Sequence, residues 1–164
     1  MMGERRGPGS EVAAALARHR ERGERIVFTN GCFDLLHPGH LEGLRLARAL
    51  GDCLVVGVNS DESVRKLKGA DRPIVPLVER LELLRAIRWV DHVVPFDGDT
   101  PAELIACLRP DIYAKGADWR GRAMPEADAA RAVGGEVVFL DLVPGYSTTD
   151  LVERIRAVPL TPAE

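Results

Sequence analysis

Aromatic side chains are scarce, at 5% of 164 residues, and they are scattered along the chain. That excludes a platform for stacking nucleic-acid bases. A surplus of either charge is missing too. With 22 basic residues against 25 acidic ones the net charge is -3, so no field draws the chain towards a polyanion. No apolar run approaches the roughly 18 residues of a membrane-spanning helix. Cysteine is sparse and odd in number, and Cys32, Cys53 and Cys107 have no metal-type spacing. Cys53 and Cys107 sit among apolar neighbours and are expected to be buried as small hydrophobes, which suits a reducing cytoplasm. The arginine-rich start resembles a transit peptide only until Glu4, Glu11, Glu21 and Glu24 interrupt it. Neither internal repeats nor low-complexity segments occur. The expectation is a soluble, cytoplasmic chain that partners neither nucleic acid nor membrane.

What is present is 46% hydrophobic residues, enough for one core at this length. Residues 1–23 form a charged, Gly/Pro-rich lead followed by a helix over 11–22, capped by Ser10 and stopped by Gly23. Residues 24–158 form the main domain, and 159–164, with Pro159 and Pro162, a non-helical tail. Strands are expected at 25–29, 53–58, 92–96, 111–115 and 136–140. Helices are expected at 38–50, 77–87, 101–108, 125–133 and about 150–157, with Asp99 or Thr100 capping the third of them. In the 77–87 helix Leu81, Leu84 and Ile87 make the apolar side, while Glu79, Arg80 and Arg85 spread around the other. Residues 59–76 read as a long polar loop. Cys53-Leu54-Val55-Val56-Gly57-Val58 is continuously apolar, as in a strand covered on both faces. Alternating strands and helices predict a Rossmann-like three-layer α/β/α sandwich with a five-stranded parallel sheet. Ligands of such a sheet bind beyond the carboxyl ends of its strands. The unusual loops follow strands one, two, four and five, so all four can face one crevice.

The most informative stretch is Phe28-Thr29-Asn30-Gly31-Cys32-Phe33-Asp34-Leu35-Leu36-His37-Pro38-Gly39-His40. A strand runs into a turn, and the turn into a helix opened by Pro38, a residue favoured at a first helical position. Such a helix end attracts phosphate through its free N–H groups and its dipole. His37 and His40, three apart, share one face of that first turn. Three readings stay open here. His37 caps the helix while His40 is a partly buried polar residue; or the two imidazoles share a cation, for which Cys32 and Asp34 show no ligand spacing; or both donate hydrogen bonds to phosphate oxygens. The last reading also uses Gly39, whose missing Cβ lets a phosphate approach the backbone.

Two further stretches carry candidate chemistry. Lys66, Lys68 and Arg72 crowd around Gly69, either as a solvated basic loop or as a positive clamp over a triphosphate. Ser147-Thr148-Thr149 stands at the start of the last helix, where hydroxyls and N–H groups can meet phosphate together.

Gly31-Cys32-Phe33-Asp34-Leu35-Leu36-His37-Pro38-Gly39-His40 resembles the signature of the cytidylyltransferase-like nucleotidyltransferases. These enzymes move a nucleotidyl group from a nucleoside triphosphate to a phosphorylated small molecule. Val58-Asn59-Ser60-Asp61, Arg65-Lys66-Leu67-Lys68-Gly69-Ala70-Asp71-Arg72-Pro73, Leu77-Val78-Glu79-Arg80, Asp99-Thr100-Pro101, Lys115-Gly116-Ala117-Asp118 and Gly135-Glu136-Val137 are similar to one branch, the heptose-1-phosphate adenylyltransferases. The likeness covers about residues 24–156. Cytidylyltransferases acting on glycerol phosphate carry an arginine shortly before the Ser-Thr-Thr run. Leu142-Val143-Pro144-Gly145 has none, which favours ATP over CTP.

The resemblance implies an adenylyltransferase that joins AMP from ATP to heptose 1-phosphate and releases pyrophosphate. Its catalytic residues would be His37, His40 and Lys68. Thr29, Asn30, Gly31, Cys32, Phe33, Gly39 and Lys66 would line the nucleotide. Lys115, Gly116 and Asp118 would form the nucleoside loop, with Trp119 as lid or stacking partner, and Ser147, Thr148 and Thr149 would hold phosphate. Asp34, Asn59, Asp61 and Arg72 would bind the acceptor sugar, and Mg²⁺ would arrive with ATP. Alternatives within the superfamily are a CTP-dependent enzyme acting on glycerol 3-phosphate and a flavin adenylyltransferase. Bifunctional relatives carry a preceding sugar-kinase domain, for which this chain has no room, so a separate kinase is expected. Strand three, with Trp89, Val90, Val93 and Val94, would lie at the sheet edge, and a homodimer is expected there.

Overall fold

The computed structural model describes residues 10–141 and 144–159. The lead of residues 1–9, positions 142 and 143 of the arginine-free stretch, and the tail from 160 lie outside the described residues. Among the described residues five strands form one parallel sheet: β1 (Ile26–Gly31), β2 (Cys53–Asn59), β3 (His92–Phe96), β4 (Ile112–Gly116) and β5 (Glu136–Leu140), in the order β3-β2-β1-β4-β5. The chain moves outward from β1 through β2 to β3 and then returns to the other side of β1. The reversal between β1 and β4 is the switch point where such sheets bind ligands.

Among the described residues seven α-helices flank the sheet: α1 (Ser10–Glu21), α2 (Pro38–Arg48), α3 (Asp61–Lys68), α4 (Leu77–Arg85), α5 (Ala102–Leu108), α6 (Pro125–Ala132) and α7 (Thr148–Arg156). Strand alternation divides the core in two. Ile26, Phe28, Val55 and Tyr113 pack with Leu16 of α1, Ile105 of α5 and Ala130 of α6 on one face. Val27, Leu54, Val56 and Ile112 pack with Leu44 of α2 and Leu84 of α4 on the other. Every residue of β2 is buried, as its unbroken apolar run predicts. Leu16 has no exposed surface, so α1 shares this core. None of the described helices is long and apolar enough to cross a membrane.

Register is pinned at the amino ends of the strands by a repeated device. Asp52, Asp91 and Asp111 each stand just before a strand and accept a backbone N–H from a neighbouring segment. Asp52 accepts from Arg25 at 2.8 Å, Asp91 from Leu54 at 2.7 Å and Asp111 from Ile26 at 2.7 Å. A one-residue slip of any pair would lose that bond and turn apolar side chains to the wrong face.

Three expectations are corrected. The polar stretch after β2 contains a helix, α3, rather than a loop. Ser60 caps it by accepting from Ser63 N at 3.2 Å, Asp61 and Glu62 stand in its first turn, and Arg65, Lys66 and Lys68 in its last. This charge order complements the helix dipole. Cys107 is exposed, because α5 turns Leu104, Ile105 and Leu108 inward and leaves Cys107 on the solvent side. Arg80, placed on the polar side of α4, is fully buried.

Candidate functional site

The turn after β1 is wound tightly enough that Phe33 (φ 48°) and Leu35 (φ 55°) adopt the left-handed region. Non-glycine residues rarely sit there, and surrounding contacts must hold them in place. Two anchors do so. Phe33 is buried in the α2/α4 core. Asp34, 2% exposed, accepts from the backbone N–H groups of Ile74 at 3.0 Å and Val75 at 2.9 Å, and from Arg72 Nε at 2.5 Å. Burial alone would raise the Asp34 pKa, but the two N–H groups and the Arg72 guanidinium outweigh it and hold the carboxyl below its ordinary value. Asp34 and Arg72, both expected to bind the sugar, are thus brought together in an ion pair that ties the 72–75 segment to the turn.

Where α2 begins, His37 is the N-cap in extended backbone, and its Nδ1 accepts from His40 N at 3.4 Å. An accepting Nδ1 leaves the ring proton on Nε2, where it can be donated. The His37 and His40 rings stack at 3.8 Å between centroids, 22° apart. Phe33 packs against His40 at 5.4 Å, tilted by 53°, and Tyr146 lies over His37 at 6.4 Å. Gly39 is required by this packing. A Cβ there would lie 2.9 Å from Tyr146 Cβ and 3.0 Å from His37 Nδ1. Burial, with a smaller push from His37, lowers the His40 pKa to about 4, and burial lowers that of His37. Both rings are therefore neutral donors near neutral pH. His40 Nδ1 is buried and has no hydrogen-bond partner among the described residues. The capping reading and the phosphate reading are compatible, since one His37 nitrogen caps and the other remains to donate.

The α3 and α4 segments close one side. Asn59 Nδ2 donates to Ser63 Oγ at 2.9 Å, and Ser63 Oγ donates to Gly98 O at 2.9 Å. Asp61 accepts from Leu77 N at 2.9 Å and from Arg80 Nη2 at 2.8 Å. Arg80 also donates to the carbonyls of Cys32 and Val75 at 2.5 and 3.0 Å, so one buried guanidinium joins the signature turn, the start of α3 and the 72–75 segment. Sequence reading missed this residue, because an arginine beside Glu79 looks like solvent-facing charge. Lys66 pairs with Glu62 at 2.9 Å on the exposed side of α3. Lys68 is exposed, and its field, with those of Arg80 and Lys115, opposes the burial that raises the Cys32 pKa. Lys68 and Lys115 thus bring positive charge near the turn, while the charge of the buried Arg80 is taken up by Asp61.

On the other side, Asn30 Oδ1 accepts from Tyr113 OH at 2.8 Å and from Lys115 Nζ at 3.2 Å. Burial lowers the Lys115 pKa and raises that of Tyr113. Lys115 Nζ lies 4.8 Å from the centre of the Trp119 ring, a cation–π contact. Gly116 ends β4, and Asp118 is exposed in the short 3₁₀ turn Ala117–Trp119. Ser147 caps α7 by accepting from Asp150 N at 3.0 Å, while Thr148 and Thr149 fill the first turn. Because Tyr146 lies over His37, the amino ends of α2 and α7 meet. Thr29, in β1, is half-buried and shares with Val27 the sheet face that α2 covers. Two helix N-termini, two neutral imidazoles and a positive rim converge on one crevice, an arrangement suited to a polyphosphate.

Comparison with known proteins gives the same direction. A family model described as cytidylyltransferase-like matches residues 28–154. The bifunctional protein HldE of Syntrophotalea carbinolica is 53% identical over 136 residues, which are 83% of this chain and 28% of that protein. HldE of Methylococcus capsulatus is 53% identical over 148 residues, 90% of this chain and 31% of that protein. The chain thus spans under a third of the length of these curated relatives. Among solved structures, the lipopolysaccharide core biosynthesis protein from Thermoplasma volcanium superimposes with a TM-score of 0.65 at 27% identity, covering 74% of this chain and 99% of that one.

Proposed function

The chain belongs to the cytidylyltransferase-like family, and we propose that it transfers the adenylyl group of ATP to a heptose 1-phosphate, yielding ADP-heptose and pyrophosphate. The observation that carries this reading is the neutral His37–His40 pair at the start of α2, in a chain 53% identical to HldE proteins. The acceptor phosphate is already anionic, so neither a general base nor an enzyme nucleophile is needed. One of its oxygens attacks the α-phosphorus in line; that P–O bond forms as the bond to the β-phosphate oxygen breaks, and pyrophosphate leaves with the electron pair. Catalysis is then positioning plus stabilisation of charge. His37 Nε2–H and His40 donate to the transferred and leaving phosphates without charge of their own. Thr29, the amino end of α7 with Thr148 and Thr149, and Lys68 complete the cradle. Lys115 and Gly116 border the nucleoside.

Mg²⁺ enters as part of the ATP substrate. The carboxylates of Asp34 and Asp61 are taken up by protein N–H groups and arginines, which leaves the phosphates to hold the ion. Asp34, Asp61 and Arg80 act on the acceptor by holding the 72–77 segment as a wall of the crevice, with Arg72 tied to Asp34 and the buried Asn59 held by Ser63. A sugar kinase supplies the 1-phosphate, and the reaction takes place in the cytoplasm, where ATP is available and free thiols persist.

Pyrophosphate release measured over a grid of ATP, CTP and GTP against heptose 1-phosphate, glycerol 3-phosphate and a flavin mononucleotide tests the assignment. Turnover is expected with ATP and the heptose alone. Turnover with CTP and glycerol 3-phosphate, and none with ATP and the heptose, would overturn it.

A further inference from the structure

At the other end of the sheet, three side chains that nucleotidyl transfer does not use converge. Cys53 opens β2, His92 opens β3, and His19 stands in the last turn of α1. One ligand atom from each lies within 4.8 Å of the other two. The fold dictates this meeting. Cys53 lies on the sheet face that Leu16 covers, and alternation puts His92 on the same face as Val94. His92 pairs with Val55, one strand over and two positions along from Cys53. His19 follows Leu16 by three positions on α1 and so points at the same place. Cys53 is fully buried, whereas both histidines are half-buried.

A second observation concerns orientation. His19 Nδ1 lies 2.5 Å from Glu24 Oε2, and Arg22 holds the same carboxylate at 2.6 Å and 2.8 Å. Arg22 Nη2 also stands 3.2 Å from Nδ1, but the 2.5 Å contact with the carboxylate requires the proton on Nδ1, so His19 keeps a lone pair on Nε2. A carboxylate behind an imidazole is the arrangement that orients histidine ligands of metals.

We propose that Cys53, His19 and His92 bind a thiophilic divalent cation, with water completing the coordination. One thiolate and two imidazoles select Zn²⁺ among common divalent ions and disfavour Mg²⁺, which prefers oxygen ligands. Ligand atoms around tetrahedral zinc stand roughly 3.4 Å apart. The three therefore close by about an ångström through rotation of the two half-buried imidazoles. Binding breaks the Cys53 S–H bond, forms an Sγ–metal bond and passes the proton to solvent. The ion would fasten α1, which precedes the family-matched segment, to β2 and β3. Six residue steps along β2, ~20 Å, separate Cys53 from Asn59 at the crevice end. The inference therefore stands independently of the proposed reaction.

Titrating the metal-stripped protein with Co²⁺ tests it. The expected result is a thiolate-to-cobalt charge-transfer band that saturates at one equivalent and is displaced by Zn²⁺. The band is lost in Cys53→Ser and kept in Cys32→Ser. Glu24→Gln weakens Co²⁺ binding by ~10–100-fold, as loss of an orienting carboxylate does. His19→Gln and His92→Gln weaken it at least as much, and they carry the test should Cys53→Ser fail to fold. Absence of the band, its persistence in Cys53→Ser, its loss in Cys32→Ser, or unchanged affinity in both histidine variants would overturn the site.

Discussion

Burial makes protonation of the His37 and His40 rings unfavourable, and for His40 the neighbouring His37 adds to it, so both rings are kept uncharged. His37→Ala removes the Nε2 donor and the cap together. The expected outcome is a fall in kcat of ~10²–10³, with a stability loss of ~1 kcal/mol from the cap. Stopped-assay kinetics and urea unfolding on the same preparation check both; near-normal kcat would refute the phosphate-binding role. His40 gives a pH signature. Its pKa is 6.5 in the unfolded chain and about 4 in the native state, so between those values the unfolded chain binds a proton that the native protein does not. Stability is therefore complete above pH 6.5 and declines as the pH falls through that window. His37 and His92, also lowered by burial, act with the same sign. Urea midpoints measured across this range should decline towards acid, and the slope should be shallower in His40→Gln. An equal slope would mean that His40 is not held neutral.

At the level of elements, the crevice depends on the tie between the signature turn and the segment leading into α4. Asp34→Ala leaves the N–H groups of Ile74 and Val75 and the Arg72 guanidinium without their shared acceptor. A destabilisation of ~3 kcal/mol is expected, as for other broken buried pairs, together with faster proteolysis within residues 69–76. A variant as stable and as protease-resistant as the parent would show that the tie is dispensable. The same elements separate what was legible in the sequence from what was not. β2 was readable because burial on both faces leaves an unbroken apolar run, the other strands because short apolar runs recur between helical segments, and α2 because Pro38 and the His-x-Gly-His pattern are local signals. The helix α3 was not readable as such, because in eight residues it buries only Ser63 and Val64, too few to show a period. Its remaining marks are a cap and an order of charges, which a basic loop also displays. The buried guanidinium of Arg80 and the ring of Tyr146 over His37 are long-range contacts, which no local pattern encodes.

For the whole molecule, β3 closes the sheet on one side, and its outer edge has no partner strand among the described residues. Pro95 lies in that strand and removes one N–H donor, so continuing the sheet into a second copy is disfavoured. Apolar side chains near this edge offer another route to association. Val78 is 70% exposed and Leu83 48% exposed on α4, which packs against β3, and Trp89 and Val90 are only half-buried between the two. We therefore expect a homodimer held by side-chain packing of this region rather than by strand pairing. Multi-angle light scattering at micromolar concentration should give twice the 17.9 kDa chain mass. Leu83→Glu, which places a charge in the contact and touches no crevice residue, should shift the mass to that of the monomer while kcat stays within a few-fold of the parent. A monomer mass for the parent protein would remove the dimer, and a dimer that survives Leu83→Glu would move the interface elsewhere.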